Sequence, residues 1–210
     1  RQKVEQSSQQ QLNNISGRRE IILGTNQYPN FSEYLDEKTI NSIHGNSEKD
    51  KGNGNRAIAL APVRAAIRFE SMRLKTDNYV NKGGKRPDVF MLTYGNLAMR
   101  KARSNFSCNF FACAGFQVHD NPGFKTIDDG VQAIERLRPE IVVICSADDE
   151  YPVIVPQIYN KLSDKAIIVV AGYPKDAMDE LTALGIKHFI HVKSNVLETL
   201  EQFQNLLHIG

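Results

Sequence analysis

The pattern of apolar positions changes character near residue 86. From there to the end of the chain, short runs that are almost wholly apolar alternate with stretches whose apolar residues recur every three or four positions. That alternation predicts βα units. Strands are expected at 89–94, 116–119, 141–145, 166–171 and 187–191, and helices at 97–114, 127–138, 151–162, 176–184 and 195–207. The third and fourth strand runs, Ile141-Val-Val-Ile-Cys145 and Ala166-Ile-Ile-Val-Val-Ala171, lack any polar position, as required when helices cover both faces of a sheet. Thr126 and Ser194 stand where an N-cap oxygen belongs, and Gly185 where a left-handed helix end belongs. The predicted class is α/β, a doubly wound sheet of five parallel strands.

The first 82 residues differ. Gln2 to Asn14 is rich in Gln, Ser and Asn; residues 19–25 read as one short strand, ended by the turn Tyr28-Pro-Asn30. Residues 44–55 contain almost no apolar side chain, so a flexible loop is expected there. Gly52-Asn-Gly54 is a fragment of a phosphate-loop pattern that lacks the preceding strand. A helix is expected over 59–76, with Pro62 in its first turn, Val63, Ala66, Ile67 and Leu74 on one face, and Arg64, Arg68 and Arg73 on a solvated face. Residues 81–87 read as a linker, dividing a partly flexible segment, 1–82, from a main domain, 86–210. The chain opens at Arg1 inside a helical pattern, as expected of a piece of a longer polypeptide.

Composition narrows the partners. Of 210 residues, 41% are hydrophobic and 24% charged, and the net charge of +2 gives no global attraction to nucleic acid or an anionic membrane. No apolar run reaches about 18 residues and no signal-like segment opens the chain, so a cytoplasmic protein is expected. Cys108, Cys113 and Cys145 lack metal-ligand spacing. The first two point about 140° apart on a helix. They read as small buried side chains.

Ligands of such sheets bind at loops leaving the carboxyl ends of the strands. The first loop, Gly95-Asn-Leu-Ala-Met-Arg-Lys-Ala-Arg103, offers no acid and no His. The third, Ser146-Ala-Asp-Asp-Glu150, offers three acids suited to Mg²⁺ or to the positive end of a helix. The fourth is Ala171-Gly-Tyr-Pro174, and His188 and His191 of the fifth strand region face opposite sides. Asp148 and Lys193 resemble the phosphoacceptor and Lys of a receiver domain, but the acids such a domain needs after its first strand are missing.

Longer blocks carry a more specific resemblance. Arg86-Pro-Asp-Val-Phe-Met-Leu-Thr-Tyr-Gly-Asn-Leu-Ala-Met-Arg-Lys-Ala-Arg103, Asn109-Phe-Phe-Ala-Cys-Ala-Gly-Phe116, Cys145-Ser-Ala-Asp-Asp-Glu-Tyr151 and Phe189-Ile-His-Val-Lys-Ser-Asn-Val-Leu-Glu-Thr-Leu200 closely resemble the C-terminal domain of bacterial methylmalonyl-CoA mutase small subunits. The resemblance is strong over 86–210. Residues 19–30 and 56–75 resemble the end of that subunit's barrel domain and its linker. It implies a flavodoxin-like fold, a degenerate cobalamin-binding domain.

The cofactor-binding version of this domain carries Asp-x-His-x-x-Gly after the first strand, Ser-x-Leu after the third and Gly-Gly after the fourth. Its His ligates cobalt, its Asp supports that His, and its small residues admit the nucleotide tail. The matching positions here are Leu97, Met99 and Ala102, then Ser146 and Asp148, then Ala171 and Gly172. A thioether stands where an imidazole is needed, Leu97 cannot accept its hydrogen bond, and a charged Asp148 would line a pocket for an uncharged heterocycle. The resemblance therefore implies a chain with no catalytic, metal or cofactor-binding residues of its own. Its partner would be the large catalytic subunit, which carries adenosylcobalamin, in a heterodimer that interconverts methylmalonyl-CoA and succinyl-CoA. Arg64, Arg68, Arg100 and Arg103 are interface candidates. Two other expectations compete: cobalamin held without a His ligand, its ring packed against the first loop, and a receiver-like phosphoacceptor.

Overall fold

A computed structural model describes residues 2–34 and 64–210. Five parallel strands run in the order β2-β1-β3-β4-β5: β1 (Asp88–Thr93), β2 (Gln117–His119), β3 (Ile141–Cys145), β4 (Ile167–Ala171) and β5 (His188–Ile190). Register pairs Val89 with both Val118 and Ile141, Val143 with Val169, and Val170 with Phe189. The chain leaves β1 for the β2 edge and then returns to β3. The switch point, where two neighbouring crossovers diverge, thus lies between β1 and β3.

Alternate residues of each strand enter different cores, because side chains alternate across a sheet. Val89, Met91, Ile141, Val143 and Val169 meet helices α3 (Leu97–Ala112) and α7 (Val196–Leu206). Phe90, Leu92, Val142, Ile144 and Val170 meet α4 (Ile127–Leu137), α5 (Tyr151–Leu162) and α6 (Met178–Leu184). The predicted doubly wound α/β architecture is therefore present. Thr126 caps α4 in a reciprocal box with Asp129, and Gly185 closes α6 at φ +116°. Ser194 does not cap α7. Asn195 does, accepting from the Glu198 amide at 3.3 Å, while the Ser194 hydroxyl accepts from His191 N at 3.0 Å.

Helices α1 (Gln2–Ser16) and α2 (Ile67–Asn81) close the α3/α7 side, where Ile15, Phe69 and Met72 join Phe111 and Phe203 in one core. Gln204 of α7 donates to the Met72 carbonyl at 2.7 Å and to the Thr76 hydroxyl at 2.9 Å. The described helix runs from Ile67 to Asn81, and of the region where a helix is expected, 59–76, residues 59–63, including Pro62 and Val63, lie outside the described ones. So do the loop expected at 44–55 and Gly52-Asn-Gly54. The buried face of α2 is Phe69, Met72, Arg73, Thr76 and Asp77, not the face through Ala66, Ile67 and Leu74. Arg73, expected in solvent, is 5% exposed and donates to the carbonyls of Asn30 and Glu33 at 2.6 and 2.7 Å. A period count scores a paired charge as polar and so rotates the face.

The strand expected at 19–25 is a turn, with one isolated bridge between Leu23 and Gln27. Asn26 is the cause. Its fully buried amide donates to the carbonyls of Ile15 and Glu20 at 2.8 and 2.9 Å, and its oxygen accepts from Ile22 N at 2.8 Å. A side chain that takes over backbone partners offers the chain an alternative to a ladder. Arg18 fastens the turn to α3, donating to Asn26 O at 2.6 Å and Asn109 O at 3.2 Å over the rings of Phe106 and Phe110.

Candidate functional site

The carboxyl end of the sheet is built by the loops that leave the five parallel strands. Leu97 is the first residue of α3 and 68% exposed, and Met99 and Ala102 are also exposed. None of these three side chains carries a nitrogen or oxygen atom. Asn96 caps the helix by accepting from Met99 N at 3.1 Å.

Ser146 is fully buried, its hydroxyl set between the Tyr94 carbonyl at 2.8 Å and the carboxylate of Glu150. Glu150 also accepts from Ala147 N at 3.0 Å and from Asn96 N at 3.0 and 3.2 Å. One carboxylate thus joins the loops after β1 and β3 across the switch point. Gly95 permits this approach, since a Cβ there would stand 2.2 Å from a Glu150 oxygen. Arg100 holds the same loop from the other side, donating to Gly95 O at 3.0 Å and Pro122 O at 3.2 Å.

Asp148 points the other way. It pairs with Arg103 of α3 at 2.8 Å, and a Cβ on Gly172 would lie 3.0 Å from its oxygen and 3.2 Å from the guanidinium carbon. Gly172 itself has φ +150°. Beneath them, the buried Tyr151 hydroxyl donates to Ala171 O at 2.5 Å and accepts from Ser146 N at 3.2 Å. The acidic turn is therefore a staple across the loops after β1, β3 and β4. The receiver-like pairing of Asp148 with Lys193 is replaced by Asp148 with Arg103. Among the described residues no group of three or more His, Cys, Asp or Glu is placed to hold a metal.

His188 packs on Phe203 and His191 on Tyr173, and burial, with a neighbouring Lys in each case, lowers both imidazoles below the usual His range. The three cysteines are buried and unpaired, and desolvation raises the Cys108 thiol to about 11. These thiols match their expected packing role.

Sequence reasoning named Ser146, Asp148, Ala171 and Gly172, which the fold does bring together, and Leu97, Met99 and Ala102, which it leaves exposed on α3. It read Glu150 only as one of three acids suited to Mg²⁺ or a helix start, not as a bridge to Asn96, and it missed Tyr151. The four-residue step from Ser146 to Glu150, inside a turn entering a helix, was the available signal.

Desolvation raises the Glu150 carboxyl, but hydrogen bonds from Ser146, Ala147 and Asn96, with the charge of Arg100, outweigh it and leave the group below the usual carboxylate range. A lowered folded-state value means that the contribution is complete above the unfolded value and is lost as pH falls through the folded one. Wild-type protein is therefore expected to unfold at a higher temperature than Glu150→Gln at neutral pH, with the gap closing below the carboxylate range. Melting curves across that range check it, and a gap that widens on acidification contradicts it.

No family model matches the chain. It is 47% identical over 194 residues to the methylmalonyl-CoA mutase small subunit of Porphyromonas gingivalis, covering 91% of this chain and 30% of the relative. It is 28% identical over 203 residues to the probable methylmalonyl-CoA mutase small subunit of Mycobacterium tuberculosis, covering 94% and 29%. The small subunit of Streptomyces virginiae is 25% identical over 137 residues, covering 65% and 20%. The chain thus spans about three-tenths of the length of the first two relatives. With nearly half of its residues matched over nine-tenths of its length, the chain belongs to the family of methylmalonyl-CoA mutase small subunits.

Proposed function

We propose that this chain is the C-terminal part of a non-catalytic small subunit, with residues 86–210 forming a cobalamin-binding-like domain and residues 1–82 the end of a barrel domain and its linker. Its role is to pack on a large catalytic subunit, which holds adenosylcobalamin and isomerises methylmalonyl-CoA and succinyl-CoA. The observation that carries this reading is the state of the β1/β3 crevice, closed by Glu150 and bordered by the Arg103–Asp148 pair. A neutral heterocycle entering there would displace a carboxylate from three donors and leave those donors unpaired. Met99 and Leu97 supply neither the imidazole nor the acceptor that cobalt ligation in this fold requires. The residues do not fit the cofactor.

Exposed apolar side chains support the interaction role. At the carboxyl end of the sheet stand Leu97, Val153, Tyr173 and Val192, between 47% and 76% exposed, and on the N-terminal segment Leu23, Tyr28 and Phe31. No described helix is long and apolar enough to cross a membrane.

Titration of the purified chain with hydroxocobalamin is expected to leave the cobalamin absorption bands unchanged. A saturable shift would instead favour cobalamin bound without a His ligand. Co-expression of the full small subunit with its large subunit is expected to yield one complex, and separate elution would remove the partner assignment.

A further inference from the structure

The donors that hold Glu150 form a seat for one carboxylate. Asn96 N and Ala147 N approach from two different loops, the Ser146 hydroxyl approaches from below, and Gly95 leaves the backbone bare on the fourth side. Arg100, anchored on the Gly95 carbonyl, contributes positive charge to this seat. Asp148 does not compete for it, being engaged with Arg103. Donors fixed by secondary structure on both sides keep their positions when a single side chain is truncated. Asn96 is held at the start of α3 and Ala147 in the turn between β3 and α5.

We infer that the Glu150 side chain is a stopper, which occupies an anion seat at the switch point and keeps small carboxylates out of it. The inference rests on the proposed reading of this crevice as a closed ligand site, and it adds what closes it. Truncating Glu150 to Ala removes a carboxylate together with the methylene next to it, the outline of acetate, and leaves the seat with unpaired donors and a local excess of positive charge. Formate or acetate then binds where the side chain stood.

The experiment uses the 210-residue chain as wild type, Glu150→Ala and Glu150→Gln. Each is melted in sodium chloride, sodium formate and sodium acetate of equal ionic strength. Glu150→Ala is expected to melt below wild type in chloride and to recover most of that loss, saturably, in formate and acetate. Wild type and Glu150→Gln should respond alike to all three salts. In amide spectra, formate should return the Asn96 and Ala147 resonances of Glu150→Ala towards their wild-type positions. Equal response of Glu150→Ala to formate and chloride overturns the inference, as does linear, unsaturable movement of those two amides.

A measurement on wild type alone guards against a variant that does not fold. The Asn96 and Ala147 amides should titrate with the same midpoint as the Glu150 carboxyl carbon, and independence of the amides from that titration overturns the inference. Failure of the subunit reading is separable. Cobalamin binding by wild type would overturn that reading, whereas formate rescue reports only on the Glu150 seat.

Discussion

Arg86→Met is expected to destabilise the domain by about 3 kcal/mol, the low end of what breaking a buried ion pair costs when the other charge stays behind. Asp77 is fully buried and lies 2.6 Å from Arg86, whose other nitrogen donates to Gly115 O at 2.5 Å. Without Arg86, the Asp77 carboxylate keeps the charge of Arg73 nearby, which holds the loss towards the bottom of the range. The control is one residue away. Lys85 pairs with Asp88 and Glu140 at 2.9 Å but is 57% exposed, so Lys85→Met should cost no more than about 1 kcal/mol. Urea unfolding of both variants with an unchanged slope measures the difference. Similar losses for the two would mean that burial does not set the strength of these pairs.

Phe111→Ala is expected to cost about 4 kcal/mol, within the usual range for deleting a fully buried aromatic ring. The Phe111 ring is wholly buried and lies 5.2 Å from that of Phe203, 5.5 Å from Phe110 and 6.4 Å from Phe116. It sits where α3, α7 and the sheet meet, in the core that also takes Ile15 of α1 and Phe69 of α2. The deletion should therefore loosen α1 and α2 as well as α3, visible as faster hydrogen exchange in all three. Phe31→Ala, at a site 55% exposed, should change stability by no more than about 0.5 kcal/mol. Protection retained in α1 and α2 after the Phe111 deletion would show that they do not share one cooperative core with the sheet.

The two sites explain why some of the molecule was legible and some was not. The strands of residues 141–145 and 167–171 could be read directly, because a segment buried on both faces has no polar position to mislead the count. The α4 cap was equally plain, since Thr126 and Asp129 satisfy each other within four residues. The turn of residues 17–28 and the buried face of α2 were not. They carry Asn26, Arg73 and Asp77, buried because each finds partners distant in the chain or in the turn, and hydrophobicity alone places such residues outside.

At the candidate site the division is similar. Residue identity alone determined that Leu97 offers no hydrogen-bond acceptor and Met99 no imidazole, because a side chain's donor set does not depend on where it sits. The sequence also determined the five strands and their helical cover, since periodicity is a local property. Only the tertiary structure decided that Glu150 turns back to Asn96, that Asp148 chooses Arg103 over Lys193, and that Tyr151 ties Ser146 to Ala171. Each of those contacts joins loops from different strands. They depend on the register of β1, β3 and β4, which brings those loops within hydrogen-bonding reach.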